Sequence, residues 1–580
     1  VTGRSSMRAA RAGVAVLLVI AAAVLAGCVS VPDSSAPQPI GTFSRKDPAG
    51  AVPVPRRSDD PETLSRNFLK AMADPSSGHR AARKFLTSTA SGRWDDQGGT
   101  TIVDNVGVVI DERTESAVRL RITADKVGVL SDAGQLLPAD GQMVMPVSLT
   151  RVRGSWRVSG DLPRGAVTDR GQFLIAYRQV NLYFPDRTMT RLVTDPRWLF
   201  GASTDPTDAV SLLLRGPSPD LAGAIGSGAD RGASLSGQVT VDGDSVIVNL
   251  DNVSDDDTRN RTVLAAQLIW TLDSADVTGT YVLNADDAPL VPGHNGGWRT
   301  ADVASFEPDS EHGPLPLHLV YKGALVRSTA GHTIPVPGEL GATRDVRAAA
   351  VTVDSRRAAA VLARGPRPTL VEGPYGGEPT EIASGTTITS PSYGADQSTG
   401  YAIIDGRPIQ WSYNAQGAPS IVDLDVSAVR AAVPGPITAL RVAPDGVRVA
   451  LVVAGRPMLA ALTTNERGVP SLTGVRPAAL DIDTAVQDIA WSGSTVMYAV
   501  RSGDDSPVMR IALAGGPAVG LVAGNLKPPL TAVGAGEDTV YVADTQGVQQ
   551  LGTGSGRPDQ YWTAVTAEPV PDTIPVVPAG

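Results

Sequence analysis

Hydrophobic and polar positions divide this 580-residue chain into zones of different period. Val14 to Ala26 is an unbroken apolar run of thirteen residues behind Arg4, Arg8 and Arg11. From Val29 to Asp59 no period survives, and prolines at 32, 37, 39, 48, 53 and 55 predict an extended tether. Order is predicted to begin at Asp60-Pro61-Glu62, where Asp60 suits an N-cap and Pro61 the first helical position. Leu64, Phe68, Leu69 and Met72 then share one face of a helix to about Ala73. A short second helix is predicted across His79 to Leu86. After Trp94 the period falls to two: Val118, Leu120 and Ile122, then Val144, Val147 and Leu149. Arg153-Gly154-Ser155 turns the strand ending at Val152 into Trp156-Arg157-Val158-Ser159.

The next zone alternates strand and helix. Val180-Asn181-Leu182-Tyr183-Phe184-Pro185 reads as a strand continued at Leu192-Val193. Asp205-Pro206-Thr207-Asp208 opens a helix through Leu212, Leu213 and Leu214, stopped by Gly216-Pro217. Asp242-Gly243 joins Val239-Thr240-Val241 to Val246 through Leu250 as a hairpin, Thr262 to Leu272 is helical, and Val277 to Leu283 is a closing strand. From about Pro314 the chain repeats a strand, a turn and a second strand. Copies begin at Ala350, Ala439, Asp488 and Ala532, with a poorer one at Ser390. Anchors at Val353, Ser392, Val442, Ile489 and Val533 are 39, 50, 47 and 44 residues apart, the period of propeller blades, with five or six copies visible. His318 to Tyr321 and Tyr561 to Val565 are the candidate strands for closing the ring. Residues 566–580, with prolines at 569, 571, 575 and 578, read as a flexible tail.

Two of these zones resemble known domains. Helices followed by an antiparallel sheet that ends in a Gly-x-Trp-x-Val hairpin make residues 60–165 similar to the cystatin-like or NTF2-like α+β domains. The Tyr-Phe-Pro strand, the Leu-Leu-Leu-Arg-Gly-Pro helix end and the Val-Asp-Gly hairpin make residues 171–292 resemble the α/β GerMN domain, an envelope binding module. With the propeller at 314–565, the expected fold class is multidomain: NTF2-like, GerMN and all-β propeller.

Composition decides what the N-terminus is. Cys28 is the single cysteine and closes Leu25-Ala26-Gly27-Cys28 directly after the apolar run. A positive n-region, a thirteen-residue h-region and small residues before the cut predict a signal peptide over 1–27, too short for a permanent span. The Leu-Ala-Gly-Cys order matches the lipobox of bacterial lipoproteins, so Cys28 is the predicted lipidation site and 28–59 a lipidated tether. In such lipoproteins the cysteine carries a diacylglyceryl group and usually an acylated amine, and two or three fatty chains such as palmitate hold a protein stably where one does not. The alternative is an ordinary secretory signal beside a small buried cysteine. The chain opens on Val1, consistent with literal translation of a valine start codon, and Met7 is a second candidate start.

Overall there are 50 Lys and Arg against 60 Asp and Glu, and loss of three arginines with the signal leaves a balance of −13. That disfavours nucleic acid as a partner. With Cys28 used for lipid, no intramolecular disulfide and no cysteine metal site can form. His79, His294, His312, His318 and His332 show no metal-motif spacing, and structural or surface roles are expected of them. Asp255-Asp256-Asp257 precedes a helix, where carboxylates favour the positive end, and the segment lacks the Gly and terminal Glu of an EF-hand. Asp423, Asp425, Asp481 and Asp483 are expected at strand edges or in loops. No nucleophile elbow, Walker loop or dinucleotide fingerprint is present, and Leu551 to Gly556 reads as a turn.

Lipobox, GerMN wording and propeller copies in this order resemble the LpqB lipoproteins of actinobacteria over nearly the whole mature chain; six Lys against 44 Arg fits a GC-rich genome. The resemblance implies a non-enzymatic accessory protein on the extracytoplasmic face of the cell membrane. Its implied partner is the extracytoplasmic domain of an MtrB-type sensor histidine kinase, whose two-component system governs cell-envelope and division genes. No catalytic motif and no cofactor come with it. The competing expectation is an envelope glycan-binding protein or hydrolase with paired carboxylates in the propeller mouth.

Overall fold

The computed structural model describes residues 52–578 except Asp161, Ala202, 230–231, 255–256, 309–314, 483–484, 504–505 and 555–557. The first domain opens with the helix Pro61–Ala71, capped by Asp60, whose carboxylate accepts the Thr63 N–H at 2.8 Å. Leu64, Phe68 and Leu69 point from it into a core shared with Trp94, Ile122, Val147 and Trp156. Helices Ser76–Arg83 and Ser88–Arg93 follow, then a long hairpin, Thr100–Arg113 with Ala117–Leu130. Gln142–Val152 and Ser155–Val158 extend the sheet on one side and Ala166–Asp169 pairs parallel on the other. The segment read as tether to Asp59 is corrected at its end: Val52 already packs against this core, and Arg56 N–H donates to Asp59 at 2.8 Å.

In the second domain the ribbon Tyr177–Pro185 with Leu192–Phe200 lies against the helix Thr258–Ser274. Gln267 donates to the Tyr183 carbonyl at 2.9 Å, and Ser274 to that of Asn181 at 2.7 Å. The helix crosses from strand Ser245–Asp251 to its parallel neighbour Thr280–Ala285, and it is buried almost all round through Leu264, Leu268, Ile269 and Leu272. Its N-cap is Asp257, which accepts from Arg259 N–H; Asp255 and Asp256 lie outside the described residues.

Six four-stranded antiparallel sheets form the propeller. Blades two to six begin with Val346–Val351, Ser392–Tyr393, Ile437–Val442, Val486–Ser492 and Ala532–Ala535. The first blade is built from both ends of the module: His318–Tyr321, Ala324–Thr329 and His332–Pro335 are completed by Ile574–Val576. Two expectations are corrected here. Residues 566–580 are not a loose tail throughout, because Ile574–Val576 is the closing strand and Thr573 and Val576 are buried. Tyr561 to Val565 does not close the ring; Thr563–Ala564 is the outer strand of the sixth blade. Blades are stitched by buried polar groups as well as apolar ones. Glu372 of the second blade, 1% exposed, takes Arg357 through Nη2 at 2.6 Å, and the Tyr393 and Tyr413 hydroxyls of the third blade donate to it.

Candidate functional site: the propeller axis and the three-domain junction

Each blade's first or innermost strand lends residues to a narrow pore of about 70 Å³ on the propeller axis. Arg441 and Asp488 face each other there at 2.8 Å. The second Asp488 oxygen accepts Val533 N–H at 3.2 Å, and Trp491 Nε1–H donates to the Arg441 carbonyl at 3.0 Å, so the pair ties the fourth, fifth and sixth blades. Ser392 Oγ accepts Val442 N–H at 3.1 Å, tying the third blade to the fourth. Asp488 is the one carboxylate among the described residues lining this pore, and Arg441 neutralises it. The lining does not form the paired-carboxylate arrangement that a glycosidase uses.

The second domain is the hub of the molecule. Trp198 gives its Nε1–H to the Ala514 carbonyl of the propeller at 2.7 Å and its backbone N–H to Gly134 of the first domain at 2.8 Å. Beside it Arg197, fully buried, pairs with Asp195 at 2.6 Å and reaches the Ala133 carbonyl at 2.5 Å; Asp195 also accepts the Ser218 N–H and hydroxyl. Asp220 accepts from residues of both other domains: Gln135 Nε2 at 2.9 Å and Arg476 Nε at 2.7 Å. Burial works against ionisation there, and the Arg476 charge and hydrogen bond outweigh it, so the Asp220 carboxyl is held below its ordinary range. Arg448, paired with Asp445 at 2.6 Å, donates to the Thr194 carbonyl, and Arg191 reaches Ala395 at 2.8 Å. Approach is close enough to require glycine at Gly515 (φ +90°), where a Cβ would meet the Leu136 carbonyl at 2.3 Å. Beside Asp220 a cleft of about 470 Å³ opens between the second domain and the fourth blade.

The sequence-predicted site residues Leu25, Ala26, Gly27 and Cys28 lie outside the described residues, as do His312 and Asp483. The other histidines are dispersed. His79 is buried with Nδ1 at 3.1 Å from Asp96, His294 stacks on Trp298 at 3.8 Å, His318 is buried in the first blade, and His332 is exposed. Asp423 ends an outer strand, Asp425 holds Ser427 N–H at 3.0 Å and Asp481 holds Ala518 N–H at 2.9 Å. Among the described residues no group of three or more His, Cys, Asp and Glu is placed to hold a metal ion, and no helix is long and apolar enough to cross a membrane. Asp220 and Arg476 were not singled out by sequence reasoning: their partners are 85 and 256 residues away, beyond any local pattern.

Comparison with known proteins covers all three domains. Family models match at residues 54–174 (Lipoprotein LpqB, N-terminal domain), 181–291 (Sporulation and spore germination) and 323–578 (Lipoprotein LpqB beta-propeller domain). Curated relatives named Lipoprotein LpqB include one from Rhodococcus opacus, 36% identical with 99% of each chain covered. Another, from Mycolicibacterium smegmatis, is 36% identical over 97% of this chain and 99% of its own, and one from Mycobacterium tuberculosis is 36% identical over 97% and 98%. Among solved structures, TolB from Acinetobacter baumannii matches 45% of this chain and 66% of its own at 14% identity with a TM-score of 0.31, too low to carry anything over. With three domains in this order and identity of this level from end to end, the chain belongs to the LpqB lipoprotein family.

Proposed function

We propose that this chain is a membrane-anchored accessory lipoprotein that acts by binding. Its partner, in this reading, is the extracytoplasmic domain of an MtrB-type sensor histidine kinase, and through it the lipoprotein tunes two-component signalling to cell-envelope and division genes. The observation that carries the reading is the Leu25-Ala26-Gly27-Cys28 lipobox on a chain similar from end to end to proteins named as lipoproteins. Cys28 is the acyl attachment point, and the anchor lies on the extracytoplasmic face. The 24 residues from Cys28 to Ala51 separate the lipid from the first packed residue, Val52, and could reach on the order of 70 Å if fully extended. Confinement to the membrane raises the effective concentration of the folded body near a membrane partner, so that a weak contact suffices.

Metabolic labelling with an alkyne fatty acid tests the anchor. The wild type takes up label and stays in the membrane after carbonate extraction, whereas Cys28→Ala does neither. A Cys28→Ala protein that still labels and resists extraction contradicts the assignment.

A further inference from the structure

The first domain brings two turns and the start of its helix to one end. Helix Pro61–Ala71 runs back along strand Thr100–Arg113: Arg66 Nη1 donates to the Val106 carbonyl at 3.0 Å. Asp60, held below the ordinary carboxylate range by the Thr63 N–H first, also feels the charge of Arg113. The hairpin turn after Arg113 lies beside the turn at Arg153-Gly154, because Ala117 pairs with Thr150 and the Arg151 N–H donates to the Ser116 carbonyl at 3.0 Å. Arg57, Arg113, Arg151 and Arg153 are exposed here and make no salt bridge among the described residues. The Arg151 guanidinium is held 5.0 Å over the buried Trp156 ring. Most nearby carboxylates are engaged: Asp111 and Glu112 pair with Arg121 and Arg119, and Asp59 and Asp60 accept backbone N–H groups. Glu115, in the turn, has no such partner among the described residues. Aliphatic groups stand among the arginines, with Val152 41% and Ile110 39% exposed.

Arginines interleaved with exposed aliphatic side chains suit the headgroup layer of a membrane, where guanidinium groups meet phosphates and apolar groups enter the boundary. The charge of the chain is divided in the same sense. Residues 52–169 carry 16 Lys and Arg against 15 Asp and Glu, whereas residues 170–580 carry 29 against 43, so an anionic surface repels the second domain and the propeller but not the first domain. The chain outside the packed body also ends on this domain: 24 residues from Cys28 to Ala51 lead to Val52, which packs on its core. We propose that this end of the first domain, built from the turns at 113–117 and 151–155, docks on anionic phospholipid headgroups, with the four arginines on the phosphates and Val152 and Ile110 in the interface. Each contact is weak by itself, and tethering to the same surface makes weak contacts sufficient. The inference rests on the membrane anchor and is independent of the kinase.

Cys28 is the single thiol, so the full mature chain can be fixed to vesicles at its own anchor point through a maleimide lipid, whether or not that residue is acylated in the cell. Failure here therefore leaves the anchor assignment, read by fatty-acid labelling, untouched. The vesicles are phosphatidylcholine with one third phosphatidylglycerol, part of it bearing a diazirine near the headgroup. Comparison vesicles are phosphatidylcholine alone, with the diazirine on phosphatidylcholine. Photocrosslinks to the folded body, mapped by mass spectrometry, are expected to concentrate within 110–119 and 150–157 and to be at least fivefold fewer on phosphatidylcholine. They should also fall at least fivefold with Arg113→Gln plus Arg153→Asn, since asparagine tolerates the left-handed backbone at Arg153 (φ +51°), and separately with Val152→Asp, in variants whose thermal melting matches the wild type. Equal labelling from phosphatidylcholine, labels concentrated elsewhere on the folded body, labelling that survives either variant, or no labelling of the folded body would each overturn the proposal.

Discussion

His318 sits 1% exposed in the first propeller blade, with Nδ1 at 3.0 Å from the Pro316 carbonyl and Nε2 at 2.9 Å from the Tyr375 hydroxyl. Burial pushes its pKa down to about 4; the Pro316 hydrogen bond opposes this and the charge of Arg327 adds to it. A neutral imidazole donating through Nδ1–H and accepting at Nε2 satisfies both neighbours. The unfolded chain takes up a proton near pH 6.5 that the folded chain refuses until about pH 4. Stability from this group is therefore complete above pH 6.5 and is lost as pH falls from there to about 4, by up to about 3 kcal/mol. Urea unfolding at pH 7 and pH 4.5 should show a larger drop in midpoint for the wild type than for His318→Gln, whose side chain does not titrate. Parallel drops would place the acid sensitivity elsewhere.

At the scale of elements, the strand Ile574–Val576 completes the first blade by pairing with His318–Val320, more than 250 residues upstream. Blades are stable only against neighbours, so deleting 572–580 should open the ring at an exposed edge. Limited proteolysis of the deletion variant is expected to degrade the propeller at least tenfold faster than the intact chain; equal resistance would contradict closure through this strand. The same strand shows where the sequence stops being legible. Helix Pro61–Ala71 and the repeated blades announce themselves through local signals: the Asp60-Pro61 cap, period 3.6, and strand-turn-strand units at near-regular spacing. Ile574-Pro575-Val576 has three residues, no alternation to read, and a proline tolerated because the strand lies at a sheet edge facing the pore. Helix Thr258–Ser274 extends beyond the predicted 262–272 at both ends, since the Asp257 cap and the final turn carry little apolar signal. The candidate site was less legible than the fold. Asp220, Arg476 and Trp198 matter through partners in other domains, and a single sequence records no such pairing.

Those cross-domain contacts join the three described domains into one body. Removing the Asp220 carboxylate leaves Arg476 and Gln135 without their shared acceptor, at a cost of about 2 kcal/mol, below that of breaking a fully buried pair because both charged partners keep some solvent contact. Calorimetry of Asp220→Ala should resolve separate transitions where the wild type shows closer coupling of its domains; an unchanged profile would mean that the remaining junction contacts suffice. In the proposed role, such a coupled body would present one composite surface to a partner at the membrane. The most direct test of that account is autophosphorylation of the sensor kinase in vesicles, with the lipidated wild-type protein or with Cys28→Ala, accompanied by crosslinking to the sensor domain. The account predicts that the wild type crosslinks and changes the phosphorylation rate, and that loss of the lipid weakens this effect more than it weakens binding of the purified sensor domain. If neither form crosslinks and neither alters phosphorylation, the kinase-binding role is contradicted.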